Sequence, residues 1–308
     1  MIRREFFSRS VKAGLAAGAY YTFSGSLNLL GNPKTTQSEI YDLAAIKGGE
    51  PDAMFDIAIQ SFGGMKKFVK PNQTVVVKPN IGWDVSPDRA ANTNPKLISR
   101  IIKHCFDAGA KDVYVFDHTC DNWTSCYSNS GLEKAAKDTG AKVVPGNNES
   151  YYHKVEITEG KRLKEDKVHE LILESDVFIN VPILKNHGGA DLTIAMKNLM
   201  GIVWDRGYWH RNDLHQCIAD FSTYSRKPDL NIVDAYNVMK QNGPRGVSKA
   251  DLVTLKSLLV SKDIVTIDAA AAKLFGKEPK EVKYIKYADE MNIGTMDLSK
   301  LKINRVIL

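Results

Sequence analysis

TVVVKPN (residues 74–80) is followed by NPKLISRIIKHCFDAGAKDVYVFD (94–117), and together they set the architecture. The first stretch is β-branched and almost continuously apolar, the pattern of a strand buried on both faces of a largely parallel sheet. The second places Asn94 before Pro95 and ends at Gly109, a Pro-start and Gly-end helix whose apolar face carries Cys105. DVYVFD then reads as another strand. The alternation continues on both sides: YDLAAIKG (41–48), AKVVPG (141–146), SDVFINV (175–181), LNIVDA (230–235) and LKSLLVS (255–261) read as strands, and GLEKAAKDTGAK (131–142) as a helix stopping at Gly140. Alternating elements predict an α/β fold, a mostly parallel or mixed sheet with helices on both faces. The polar, charged and hairpin-like region around 145–170 reads as a second lobe or equally as an insertion or edge hairpin on the main sheet. With no long linker in view, residues 40–308 are expected to form a single α/β domain.

Composition narrows the class. The chain has 308 residues, 43% hydrophobic and 25% charged, with a formal net charge of +6. Its lysines are spread along the sequence rather than gathered into basic blocks with aromatics between them, which argues against nucleic acid as a partner. No apolar run approaches the length of a membrane span, so no stable span is expected. Residues 1–31 differ from the rest. Arg3 and Arg4, then Phe6 and Phe7 and a weakly apolar Ala/Gly stretch resemble a twin-arginine export signal, with an amphipathic helix as the alternative. A polar linker, 32–39, follows. A working signal implies the export machinery as a partner and a periplasmic or extracytoplasmic location; without it the protein is cytoplasmic.

The chain contains four cysteines, Cys105, Cys120, Cys126 and Cys217. None forms a C-x-x-C pair, so neither a zinc site nor a ferredoxin-type iron–sulfur cluster is expected from spacing. Cys105 and Cys217 read as core. Cys120 and Cys126 share a loop and suit a disulfide in an oxidising compartment, which spacing alone does not establish. P-loop, GxGxxG and GxSxG motifs are missing, which argues against P-loop NTPases, dinucleotide-binding dehydrogenases and serine hydrolases.

In open α/β sheets ligands bind beyond the carboxyl ends of strands. Those ends here deliver Lys78 and Asn80, Asp117 and His118, Lys185, Asn186 and His187, and Asp234; the loop NGPRG adds Gly243 and Arg245. A lysine ending a buried strand must reach solvent or meet an anion, so this set points to a small carboxylate or phosphate ligand. In NVPILKNHGGADLTIAMKNLMG (180–201), Gly188 and Gly189 are expected to open a helix whose N-terminus attracts an anion. Leu192, Ala195, Met196, Leu199 and Met200 fall on one arc of that helix, with Asp191, Thr193, Lys197 and Asn198 on the other. His187 is a candidate for proton transfer, with Lys185 beside it and Asp117 or Asp234 to orient it. A divalent metal is a further option, with His118, His187, Asp117 and Asp234 as candidate ligands. His153, His169, His210 and His215 read as surface residues, and RGYWHRNDLHQC (206–217) as a surface segment or lid.

Four stretches, VVVKPNIG, VPILKNHGGADLTIAMKNLMGIV, LNIVDAYNVMKQNGPRG and DIVTIDAAAAKLFG, resemble the domain of unknown function 362 family. The resemblance implies an α/β fold and little settled biochemistry, and marks Lys78, Asn80, Lys185, His187, Lys197, Asn198, Asp234 and Gly243 without assigning them roles. Some members of that family carry iron–sulfur clusters on ferredoxin-like cysteines, a motif not found here. Three readings follow: an exported enzyme acting on a small anion, a non-catalytic receptor for an anion or metal complex, and a redox protein with a metal or iron–sulfur centre.

Overall fold

A computed structural model describes residues 40–308. The export-signal and linker segments, 1–31 and 32–39, lie outside the described residues. The strands are β1 (Leu43–Lys47), β2 (Thr74–Pro79), β3 (Asp112–Val115), β4 (Lys142–Val143), β5 (Tyr152–Glu156), β6 (Glu165–His169), β7 (Val177–Val181), β8 (Ile183–His187), β9 (Asp191–Thr193), β10 (Leu230–Met239), β11 (Leu252–Ser261) and β12 (Ile303–Ile307). The helices are α1 (Pro51–Gln60), α2 (Pro95–Asp107), α3 (Trp123–Asn129), α4 (Leu132–Asp138), α5 (Glu170–Glu174), α6 (Ala195–Asn198), α7 (Arg206–Arg211), α8 (Leu214–Phe221), α9 (Ile264–Phe275) and α10 (Lys283–Glu290).

The main sheet runs in the order β12-β1-β11-β10-β7-β2-β3-β4, with β8 paired to β10 and β9 to β8. Strands β10, β7, β2, β3 and β4 are mutually parallel, while β11 is antiparallel to both its neighbours and β9 to β8. The mixed, mostly parallel α/β sheet is the one expected. Each apolar stretch read as a strand forms one. The polar region around 145–170 supplies a separate two-stranded hairpin, β5 with β6. β12, INRVI, is half polar and forms an edge of the sheet, so it lacks the continuous apolar run of the buried strands.

The period-2 alternation of β2 divides the interior. Val75 and Val77 pack with Phe55 of α1, Ile98 and Ile101 of α2, and Ala136 of α4. Val76 points the other way, into a second core holding Phe178, Leu192, Met196, Trp209, Ile218 and Tyr284. Lys78 shares the parity of Val76, so its side chain enters the face covered by α6, α8 and α9. The same parity governs the neighbouring strands. Lys78 lies opposite Asn180 on β7, and Asn180 opposite Asn231 on β10, so a polar row crosses the centre of an apolar sheet.

Two local expectations change. Gly188 and Gly189 do not open a helix: they form the turn of a β8–β9 hairpin, with Lys185 opposite Thr193 and His187 opposite Asp191. Asp191 adopts a left-handed φ of 61°, which no helix continues, and Nδ1 of His187 closes the turn by accepting from the amides of Gly189 and Ala190, both at 3.1 Å. The helix begins only at Ala195 and passes at Leu199 into a 3-10 turn ending at Ile202. His169 is also not a surface residue. It is 1% exposed, accepts the Leu171 amide on Nδ1 and sets Nε2 against the Pro145 carbonyl at 3.2 Å.

α2 starts as its sequence dictates: Asn94 accepts the Lys96 amide at 2.9 Å ahead of Pro95. Asn94→Ala removes this cap and is expected to cost about 1 kcal/mol, read as a lower urea midpoint at unchanged m-value.

Candidate functional site

The carboxyl ends of β2, β3 and β8, with α6, the 3-10 turn after it and α7, surround a cleft of about 530 Å³. Lys78, Asn80, Asp117, His118, Lys185, His187, Lys197 and Asn198 all line it, and Cys120, Thr193, Gly201, Trp204, Arg206 and His210 join them.

At its base lies a buried ion pair. Lys78 Nζ stands 2.9 Å from Asp117 Oδ1, with the two side chains 1% and 3% exposed. Asp117 Oδ2 accepts the Ile81 amide at 2.7 Å, so the carboxylate also fixes the turn leaving β2. Lys78 donates to Asn198 Oδ1 at 2.9 Å, and burial lowers its proton affinity while Asp117 restores part of it.

From Asn198 a row of amides runs into the sheet. Asn80 Nδ2 donates to Asn198 Oδ1 at 2.9 Å, Asn198 Nδ2 to Asn180 Oδ1 at 2.9 Å, and Asn180 Nδ2 to Asn231 Oδ1 at 2.9 Å. Asn231 Nδ2 ends the row on the Lys262 carbonyl at 3.3 Å. Lys185 Nζ feeds its outer end, donating to Asn80 Oδ1 at 3.0 Å and to the Ala91 carbonyl. α6 is seated by Asp268 of α9, whose carboxylate accepts the Ala195 amide at 2.7 Å and the Met196 amide at 3.0 Å. This orients Lys197 and Asn198 although Asp268 is itself outside the cleft.

The cations divide by engagement. Arg206 donates to the carbonyls of His118 at 2.8 Å and Thr119 at 2.7 Å, with Cys120 Sγ at 3.5 Å. Lys78 and Lys185 are held as described. Lys197 Nζ has no hydrogen bond or ion pair among the described residues, and it faces the cleft. Burial, Arg206 and Lys78 push its proton affinity down to about 8; burial, Lys197 and Lys78 push Lys185 down to about 7.

Burial disfavours the protonated form of the cleft histidines His187 and His118. His187 is driven down to about 2 by burial and by Lys197 and Lys185. Its Nδ1 is committed as an acceptor to two amides, so the ring proton sits on Nε2 and the group is a hydrogen-bond donor. A group this hard to protonate is better suited to donating a hydrogen bond than to taking up a proton. His118 stacks on Trp204 at 5.1 Å and 5°, with Nδ1 3.0 Å from the Val203 carbonyl; burial and Arg206 lower its affinity as well.

Other expected members stand elsewhere. Asp234 accepts the amides of Asn94 at 2.8 Å and Tyr236 at 3.1 Å and does not line the cleft; burial raises its carboxyl to about 6. Gly188 and Gly189 are exposed, and the Gly189 amide is taken by His187, so they do not offer the helix-terminal anion site expected of them. Gly243 accepts no side chain, because a Cβ would meet the Asn186 carbonyl oxygen at 1.9 Å; its role is the close approach of two loops. Arg245 is exposed, 3.7 Å from Asp121. Of the candidate metal ligands, Asp117, His118 and His187 line the cleft and Asp234 does not. His118 and His187 use Nδ1 on backbone, Asp117 pairs with Lys78, Asp234 caps a helix start, and no metal-competent group of three His, Cys, Asp or Glu occurs among the described residues. The thiols are free; Cys105, Cys126 and Cys217 are buried and Cys120 is exposed at the cleft.

Residues 75–273, more than half of the 308-residue chain, match the family described as "Domain of unknown function (DUF362)", and the chain belongs to that family. A thylakoid-associated protein of Synechocystis sp., sll1697, is 23% identical over 232 residues, covering 73% of this chain and 70% of its own. Among solved structures, the lactate racemase apoprotein of Thermoanaerobacterium thermosaccharolyticum aligns with a TM-score of 0.40 and 12% identity, over 73% of this chain and 55% of that one. This chain therefore spans about half the length of that structure.

Gly201 is the least replaceable position in the cleft. A Cβ there would lie 1.8 Å from Asp117 Oδ1 and 2.6 Å from Lys78 Nζ. Gly201→Ala must part the buried ion pair or lift the 3-10 turn, and is expected to cost about 3 kcal/mol or more, measured by chemical denaturation.

Proposed function

We propose that this DUF362 protein is an enzyme acting on a small anionic substrate, a carboxylate or phosphate, bound in the Lys78–Lys185–Lys197 cleft. The observation that carries the reading is Lys197, an ammonium facing the cleft with no partner among the described residues. A partly buried cation without a counterion is costly, and an anionic ligand offsets that cost. Arg206 adds positive charge, while Lys78 and Asp117 offset each other. His187 offers Nε2–H to a ligand oxygen.

Lys185 favours turnover over storage. A simple anion receptor has no need of an amine whose proton affinity burial and like charge hold near 7. Such a group exchanges a proton, or acts as a free amine, at neutral pH.

Thermal shift and calorimetry with small carboxylates and inorganic phosphate test the site. Wild type is expected to be stabilised by at least one of them. Lys197→Met is expected to weaken that binding about 10- to 100-fold, the range for losing a charged hydrogen bond, and Arg245→Ala to leave it unchanged. Equal binding by wild type and Lys197→Met contradicts the assignment.

The pH dependence has a definite sign. An anion prefers the ammonium forms, which prevail below about 7 for Lys185 and about 8 for Lys197. Affinity is therefore greatest below about pH 7 and declines as pH rises through both values, by at most about tenfold per unit for each proton lost. His187, uncharged above about 2, adds nothing to the profile.

A further inference from the structure

The hydrogen bonds around Lys185 bear on the chemical class of the substrate. A protonated lysine presents three N–H donors; a neutral amine presents two and a lone pair. Lys185 Nζ meets two acceptors, Asn80 Oδ1 at 3.0 Å and the Ala91 carbonyl. Both are fixed. The Ala91 acceptor is backbone, and the Asn80 amide cannot turn round because its Nδ2 donates to Asn198 Oδ1. Two acceptors account for both N–H bonds of a neutral amine, leaving the lone pair for the remaining tetrahedral position of a group that lines the cleft. No carboxylate forms an ion pair with Lys185 among the described residues, and burial with the nearby charges of Lys197 and Lys78 disfavours its ammonium form. A desolvated lysine beside other cations is the setting in which amines act as nucleophiles toward carbonyls.

We propose that Lys185 is an imine-forming nucleophile and that the cleft takes 2-oxo acids, with the Lys197 ammonium, unpartnered among the described residues, holding the carboxylate. The inference rests on the anion-site reading above. The Lys185 lone pair attacks the ketone carbon, forming the N–C bond as the carbonyl π pair moves to oxygen. One amine proton passes to that oxygen, giving a carbinolamine. The C–O bond then breaks, the oxygen leaving as water with the second amine proton, and C=N remains. No oxidant or reductant is needed. Nε2–H of His187 is the neutral donor available to the ketone oxygen as charge develops on it.

Reductive trapping tests this. The full chain is incubated at pH 7 with pyruvate and sodium cyanoborohydride, and adducts are mapped by peptide mass spectrometry. One reduced adduct per chain is expected, on Lys185, exceeding that on any exposed lysine by at least about tenfold, because an ordinary lysine is a free amine roughly once in a thousand at pH 7. Lys185→Arg, which keeps a cation in place, is expected to lose the adduct, and Lys197→Met to slow it while keeping the wild-type melting temperature. Adducts spread over exposed lysines, an adduct on Lys197, or none with either pyruvate or 2-oxoglutarate overturns the proposal. Oxalate and inorganic phosphate, which form no imine, separate the two levels. If they stabilise wild type but not Lys197→Met while trapping fails, the anion site stands and the imine falls. If no anion stabilises wild type, the site reading falls with it.

Discussion

The cleft depends on one buried contact, the ion pair between Lys78 on β2 and Asp117 beyond β3. Withdrawing either charge from water costs several kcal/mol, and attraction in a poorly screened interior returns this only when the remaining donors and acceptors are also met. Here they are met by parts that would otherwise be independent: Asp117 takes the Ile81 amide, and Lys78 takes Asn198 from α6. Gly201 closes over the pair with no room for a side chain, and its carbonyl accepts the His118 amide at 3.0 Å. Two strand ends and one helix are thereby tied at a single point.

That point also separates the cations by task. Lys78 is neutralised and serves the frame. Arg206 is turned onto the carbonyls of His118 and Thr119 and holds the start of α7 against the β3 loop. Among the described residues Lys185 and Lys197 have no carboxylate partner, one with two neutral acceptors and one with none. Burial, and after it the neighbouring like charges, lower the proton affinity of both.

Much of this was legible in the sequence for a simple reason. Buried parallel strands are continuous apolar runs, so a polar residue at the end of one is conspicuous; Lys78, Asn80, Asp117 and Lys185 were found that way. Lys197 and Asn198 were found as the polar side of an amphipathic pattern, although the helix that bears them starts later than that pattern implied. The hairpin is not legible in the sequence, because Gly-Gly before an amphipathic stretch suits a helix start as well as a turn, and only the pairing of Lys185 with Thr193 decides between them. Trp204, Arg206 and His210 reach the cleft through the placement of α7, and Asp268 of α9 seats α6 from outside it, which no local pattern encodes. Asn180 and Asn231 did leave a trace: each interrupts an apolar strand on the parity that β2 gives to Lys78. Asp234 looked functional for the same reason as Lys78, but its face belongs to the start of α2.

The amides of Asn80, Asn198, Asn180 and Asn231 all point the same way, oxygen toward the lysines and nitrogen toward Lys262. Turning any one of them around would set oxygen against oxygen on one side and nitrogen against nitrogen on the other. The row therefore switches as a whole or not at all, and its aligned dipoles give the lysine end a standing negative bias that belongs to no single member. The surroundings of Lys185 are in this sense set from the middle of the sheet: Asn231, at the far end of the row, is part of what holds Asn80 against it.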